Sequence, residues 1–331
     1  MNTTYLNKII SNFDVNTSNL SYKRIDTGYI NDSFYVIKDG ERKYVLQKIN
    51  TNVFKKIEAI KNNINLSINK LNDINYHKIK FINTSTESIF YNSKKKYWRL
   101  MKYVRGSYTK NNAENINDAF EAGRILSLFH LLLKDEDPKK YIDTLDNFHN
   151  LPYRITEFEV ALENSNNNLK KECSEEINYS REMFDRFNIF YNSKLPERIC
   201  HNDAKLNNIL FSISNKGLCM IDMDTIMKGY FHYDFGDAVR TIVNPASEEE
   251  KDLSKICFNK IFFKAFINGF KSNGNFLSKK ECELLPLSTA LMPFIHGLRA
   301  LTDYLNGNIY YKGTPAIIQT TISGNGRLIP Q

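Results

Sequence analysis

Ile199-Cys200-His201-Asn202-Asp203-Ala204-Lys205-Leu206-Asn207-Asn208-Ile209-Leu210-Phe211, continued by Leu218-Cys219-Met220-Ile221-Asp222-Met223-Asp224, decides how this chain is read. Asp203 and Asn208 stand in one polar loop. Ile209 to Phe211 is a short apolar run, the pattern of a strand. Asn215-Lys216-Gly217 supplies a tight turn, and a second apolar run ends in Asp222. Two antiparallel strands joined in this way bring Asp203, Asn208 and Asp222 to one end of a small sheet. Phosphoryl transfer to a hydroxyl calls for this set. One carboxylate takes or orients the proton of the attacking hydroxyl, while a carboxylate and an amide oxygen hold magnesium against nucleotide phosphates.

Upstream, the first third reads as strands, turns and one helix. Tyr22 to Arg24 precedes the turn-like Asp26-Thr27-Gly28-Tyr29-Ile30-Asn31-Asp32. Ser33 to Ile37 and Lys43 to Ile49 alternate as strands about the Asp39-Gly40 turn. Val53 to Leu71 carries apolar residues at Ile57, Ile60, Ile64, Ile68 and Leu71, which predicts a helix. Ser88 to Tyr91 and Tyr97 to Val104 form a second hairpin around Asn92-Ser93-Lys94. After Gly106 the period becomes helical, at 119–133, 177–191 and 253–270, with 164–171 a loop or helix end. The expectation is an α+β, bilobal, protein-kinase-like fold. A small antiparallel β-sheet lobe spans residues 1–104, and a larger, mostly helical lobe spans 105–331.

Composition narrows the class. At 331 residues, the chain is long for one core and comfortable for two packed lobes. Hydrophobic residues at 42% and charged residues at 25% are those of an ordinary globular protein, which sets aside disordered and fibrous classes. No uninterrupted apolar run reaches membrane-spanning length, and no signal-like segment opens the chain. The five cysteines, Cys173, Cys200, Cys219, Cys257 and Cys282, form no CxxC pair, which argues against a disulfide framework or a zinc site. These features predict a cytoplasmic protein. The net charge of +8 comes from lysines scattered among many asparagines, so no nucleic-acid partner is expected. No membrane partner is expected either, and the chain is read as a monomer or weak dimer.

The loop and hairpin follow the order of the protein-kinase catalytic loop. They resemble more closely the aminoglycoside phosphotransferase and choline kinase superfamily, and within it the N-acetylhexosamine 1-kinases. The family's HND, NN, IDxDT and YDFGD segments are matched by His201-Asn202-Asp203, Asn207-Asn208, Ile221-Asp222-Met223-Asp224-Thr225 and Tyr233-Asp234-Phe235-Gly236-Asp237. Gly28-Tyr29-Ile30-Asn31-Asp32, Leu46-Gln47-Lys48-Ile49-Asn50 and Arg299-Ala300-Leu301-Thr302-Asp303-Tyr304-Leu305-Asn306-Gly307 are similar to further family segments. The likeness runs from about residue 20 to 312.

The resemblance implies that Asp203 is the catalytic carboxylate and that Asn208 and Asp222 hold magnesium, with Asp224 able to reach the metal or its waters. It implies that Lys48 reaches the phosphates of ATP. Leu100 to Val104, with Met101 and Tyr103, would form the hinge against adenine. Gly28 and Asn31 would cover phosphates or sugar, and Asp234 would hold the catalytic loop. For the acceptor, His232, Tyr233, Arg299, Asp303, Tyr304 and Tyr311 are the candidates. After Lys312 the chain departs from the family. Gly313-Thr314-Pro315 leads into a polar, irregular tail where the family continues as a charged helix.

The expected activity is ATP- and magnesium-dependent phosphorylation of the anomeric hydroxyl of N-acetylglucosamine or N-acetylgalactosamine. The alternatives are a kinase of choline, homoserine or an aminoglycoside, and a nucleotide-binding pseudokinase.

Overall fold

The computed structural model describes residues 2–26, 30–244 and 252–309. Gly28, Tyr311 and the tail beyond Lys312 lie outside the described residues. The N-terminal lobe opens with helix α1 (Thr3–Ile10), capped by the Asn2 side chain on the Tyr5 N–H. Strands β1 (Leu20–Ile25), β2 (Asp32–Lys38) and β3 (Glu41–Lys48) follow, then helix α2 (Ile57–Ile68). Strands β4 (Phe81–Ile82), β5 (Tyr91–Ser93) and β6 (Lys96–Lys102) complete the lobe. The sheet is antiparallel in the order β1-β2-β3-β6-β4, with β5 paired along β6. Asp39 and Gly40 both take positive φ, the turn a two-residue hairpin between twisted strands requires.

The alternation of strand side chains gives this sheet two different faces. Phe34, Val36, Leu46, Trp98 and Leu100 are buried with Leu6, Ile9 and Ile10 of α1. Ser33, Tyr35, Val45, Gln47, Arg99 and Met101 stand on the other face and line a cleft toward the second lobe.

The second lobe runs through β7 (Ser107–Tyr108), α3 (Ile116–Leu132), α4 (Leu151–Asn164), α5 (Asn167–Glu172) and α6 (Ser174–Asn192). It continues with β8 (Arg198–Cys200), β9 (Ile209–Ser212), β10 (Gly217–Met220), β11 (Met227–Gly229), α7 (Phe231–Val243), α8 (Lys260–Lys271) and α9 (Lys279–Leu305). The β9–β10 hairpin, edged by β7, and the β8–β11 pair present the catalytic-loop segment to the cleft. One large core is shared by α2, α3, α7, α8 and this hairpin, and a second joins α4, α6 and α9. α9 is long and apolar enough to cross a bilayer by composition, but 67% of that window is buried inside the fold.

Several boundaries differ from the sequence reading, and the second hairpin turns at Lys94-Lys95, both at positive φ, not at Asn92-Ser93-Lys94. α2 begins at Ile57, not Val53, because the Val53 and Phe54 N–H groups bond the Asn50 carbonyl in a turn first. Residues 164–171 are not a plain loop: Asn166 caps a new helix, α5, by accepting the Asn168 and Leu169 N–H groups. The helix expected from 253 starts only at Lys260, where the Asn259 side chain caps it by accepting the Ile261 and Phe262 N–H groups.

Candidate active site

The catalytic loop is built by anchoring its backbone. Asp234, in the first turn of α7, accepts the His201 N–H on Oδ2 and the Asn202 N–H on Oδ1, each at 2.6 Å. Its Oδ2 also lies 2.9 Å from His130 Nε2. That is the loop-holding part expected for Asp234. Asn202 sits in the left-handed region at φ 60°, and its amide donates to the Thr225 carbonyl at 3.1 Å. From the opposite side, His149 Nε2 meets the Asn202 carbonyl at 2.8 Å. Burial pushes the His149 ring down to about 3, so it is neutral and Nε2 is the donor.

On this frame Asp203, Asn208 and Asp222 converge. The Asn208 amide donates to the Asp203 carboxylate and carbonyl, both at 2.8 Å. Lys205 Nζ lies 3.3 Å from the other Asp203 oxygen. The Ile221 N–H bonds the Asn208 carbonyl at 2.8 Å, which ties the two halves of the motif together. Asp222 then takes a left-handed conformation, φ 59° and ψ 63°. A non-glycine residue held there is strained, and such strain gathers at functional sites. Loss of water, then the Asp224 charge, push the Asp222 carboxyl up to about 6 against the opposing pull of Arg99. Its Oδ1 is buried without a hydrogen-bond partner among the described residues, with Arg99 Nη2 3.7 Å away. An oxygen ligand so placed, beside the amide of Asn208, fits a hard divalent cation.

Several expected residues stand elsewhere. Asp224 is 1% exposed, and its carboxylate is held by Arg99 and by the Asn31 amide, so it spans the lobes instead of facing a cleft cation. Asn31 is likewise a brace: its amide oxygen accepts the Asn50 N–H at 3.0 Å. Lys48 shares the face of Leu46, as the alternation requires, but that face packs on α1 and not on the cleft. Its Nζ pairs with Asp32 at 3.1 Å. The cleft-facing neighbour is Gln47, whose Oε1 accepts from Arg99 Nε at 2.9 Å.

Met101 and Tyr103 do line the cleft, a cavity of ≈ 230 Å³ with Tyr35, Val45, Leu210 and Ile221 as further apolar walls. The hinge amides of Lys102 and Tyr103 are already bonded to the Lys80 and Lys43 carbonyls, so an adenine contact through those two is closed.

On the acceptor side, His232 and Tyr233 are core residues. His232 Nε2 meets the Glu281 carbonyl at 2.9 Å, and Tyr233 is buried among His149, Phe190 and Tyr230. Asp303 closes the end of α9, accepting the Asn308 N–H on its carbonyl and the Ile309 N–H on its carboxylate. Tyr304 packs beside the α4–α6–α9 core. Arg299 lies 5.2 Å above the Phe148 ring, next to His149, whose ring stands 6.2 Å from His296. Burial alone would raise Asp237, but Arg240 and then His296 hold its carboxyl well below the usual range.

Sequence reasoning does not single out His149, His296, Asp237, Gln47 or Arg99. Asp237 and Gln47 fall inside the Tyr233-to-Asp237 and Leu46-to-Asn50 motifs, but neither motif gives them a role. The others depend on cross-strand register or on distant helices.

A two-lobed molecule with a cleft beside Asp203, Asn208 and Asp222 is a kinase-like small-molecule phosphotransferase. Residues 21–253 match the phosphotransferase enzyme family, and the chain belongs to that family. Among solved structures, a microcompartment-associated aminopropanol kinase is similar with TM-score 0.62 at 15% identity, over 99% of this chain and 95% of that one. The ADP-bound aminoglycoside phosphotransferase APH(2'')-Ib gives 0.60 at 14% identity over 100% of both chains. Choline kinase from Cryptosporidium parvum Iowa II gives 0.59 at 14% identity, over 99% of this chain and 96% of that one. At such identities the likeness is one of fold.

Proposed function

We propose that the protein transfers the γ-phosphoryl group of ATP to the anomeric hydroxyl of an N-acetylhexosamine. The observation that carries the kinase reading is the convergence of Asp203, Asn208 and Asp222, the last two lining the cleft. In the step, the acceptor oxygen bonds to the γ-phosphorus and the bond to the β–γ bridging oxygen breaks. ADP leaves, and the hydroxyl proton passes to Asp203. Asn208 and Asp222 would hold magnesium, which supplies positive charge to the phosphates. Tyr35, Val45 and Met101 offer apolar surface for the base. The free cysteines, of which Cys173, Cys200 and Cys219 are buried, suit the cytoplasm.

Support for the sugar comes from the LQKIN, IDMDT and RALTDYLNG segments taken together. It comes also from charge: Lys205 and Arg240 lie around Asp237, with Arg299 near the neighbouring His296. That balance disfavours a polycationic aminoglycoside. The test is a competition among N-acetylglucosamine, N-acetylgalactosamine, kanamycin, choline and homoserine with ATP and magnesium, read by phosphorus NMR. A sugar 1-phosphate is expected. A 6-phosphate or a phosphorylated non-sugar alcohol removes the substrate assignment, and no turnover of any alcohol removes the kinase assignment.

A further inference from the structure

Arg99 is a buried cation with one arm outside any hydrogen bond to a described residue, held only by its charge near Asp222. It sits on β6 directly across from Gln47 of β3, with its side chain 1% exposed. Nε donates to Gln47 and Nη1 is taken by Asp224. Nη2 makes no hydrogen bond to any described residue and lies 3.7 Å from Asp222 Oδ1. Gln47 is itself fixed, donating its amide to the Ser33 hydroxyl at 2.9 Å. Arg99 and Gln47 both border the cleft cavity, whereas Lys48 of the same strand as Gln47 points to the α1 face and is bound to Asp32.

A nucleotide polyphosphate entering this cleft brings several negative charges to the neighbourhood of Asp222, itself a carboxylate. Magnesium on Asn208 and Asp222 would offset part of that charge, and Lys48, on the wrong side of the sheet, does not offset the rest. We infer that Arg99 is the nucleotide-phosphate-binding residue of this chain, with Gln47 and Asp224 holding its guanidinium so that Nη2 presents to a phosphate oxygen. Arginine suits this role because the planar fork lets two arms be spent on positioning while the third binds. The low exposure strengthens the contact, since little water competes for it. Asp224 thereby acquires a purpose other than metal ligation. It offsets the buried charge while no phosphate is present.

This inference rests on reading the cleft as a nucleotide site. The test is calorimetric binding of ADP and of adenosine, each measured with chelator and with magnesium. In the double variant Arg99→Met/Asp224→Asn, both members of the buried pair lose charge together. ADP is expected to bind about 10- to 100-fold more weakly, the range of a lost hydrogen bond to a charged group, while adenosine affinity holds. Adding Gln47→Lys to that background returns a cation from β3 and should recover ADP affinity, which a purely structural Arg99 would not explain. ADP affinity unchanged in the folded double variant, or an equal loss for adenosine, overturns the assignment. Should the double variant not fold, Arg99→Lys keeps the charge beside Asp224 but not the second arm. It should show the same selective loss, and unchanged ADP binding there overturns the assignment equally. If the wild-type protein binds neither ligand, the nucleotide reading itself falls. If it binds both and no variant discriminates, only the role of Arg99 falls.

Discussion

At the scale of single residues, the site separates groups that act from groups that hold. Asp203 is half-buried, and Asn208 steadies its carboxylate without blocking the second oxygen. Asp203→Asn therefore keeps shape and hydrogen bonding but loses the proton acceptor. Turnover is expected to fall on the order of 100- to 10,000-fold while calorimetric ADP affinity stays at the wild-type value. Turnover within a few-fold of wild type would contradict the assignment. Asp234 does the opposite job. It is fully buried, and both its oxygens are committed to the loop's N–H groups. Asp222 combines the two kinds, strained in backbone and without a hydrogen bond at Oδ1, where Arg99 Nη2 stands 3.7 Å away.

At the scale of elements, α7 matters most because it carries Asp234 to the catalytic loop. α7 lies on α9 with Gly236 at the contact, where a Cβ would run into the Ser288 carbonyl and the Met292 side chain. The Ser288 oxygen belongs to backbone and cannot swing aside. Gly236→Ala is expected to force α7 away from α9 and to cost about 1–3 kcal/mol, as overpacking does. Because Asp234 is two residues away, the same change should lower turnover in the fraction that remains folded. Urea denaturation and turnover per folded molecule measure the two effects. A variant as stable and as active as wild type would show that the contact is softer than described.

For the whole molecule, the interior is kept neutral where charge has no partner. His232 is buried on the Glu281 carbonyl, and burial pushes its ring down to about 4. In the unfolded chain the ring titrates near the ordinary histidine value of 6.5. Above 6.5 both states are therefore neutral and the stability is whole. As pH falls from 6.5 toward 4, the unfolded chain takes up a proton that the fold resists, and stability is lost. The loss is at most roughly 1.4 kcal/mol per pH unit. His232→Gln keeps an N–H for the carbonyl and does not titrate. The stability gap between wild type and this variant, by urea denaturation, should narrow by roughly 2 kcal/mol between about pH 7.5 and 4.5. A gap independent of pH would contradict a buried neutral histidine.

The sequence alone determined the local chemistry. The Asp203–Asn208–Asp222 spacing, the hairpin between them, the β2–β3 turn at Asp39-Gly40 and the helical periods of α3 and α6 all depend on neighbours in the chain. Short-range sterics and hydrogen bonding decide such features before any packing occurs. Tertiary structure decided which face of each element meets what. Period-2 alternation puts Leu46 and Lys48 on one side of β3, yet only the docking of α1 makes that side the interior one. By sequence Asp224 reads as a metal ligand; the fold brings Arg99, 125 residues away in the chain, against it. By sequence His232 and Tyr233 read as sugar contacts; α4, α6 and α9 close around them. Burial and charge pairing are properties of surfaces brought together from distant parts of the chain, and no local pattern encodes which surfaces meet.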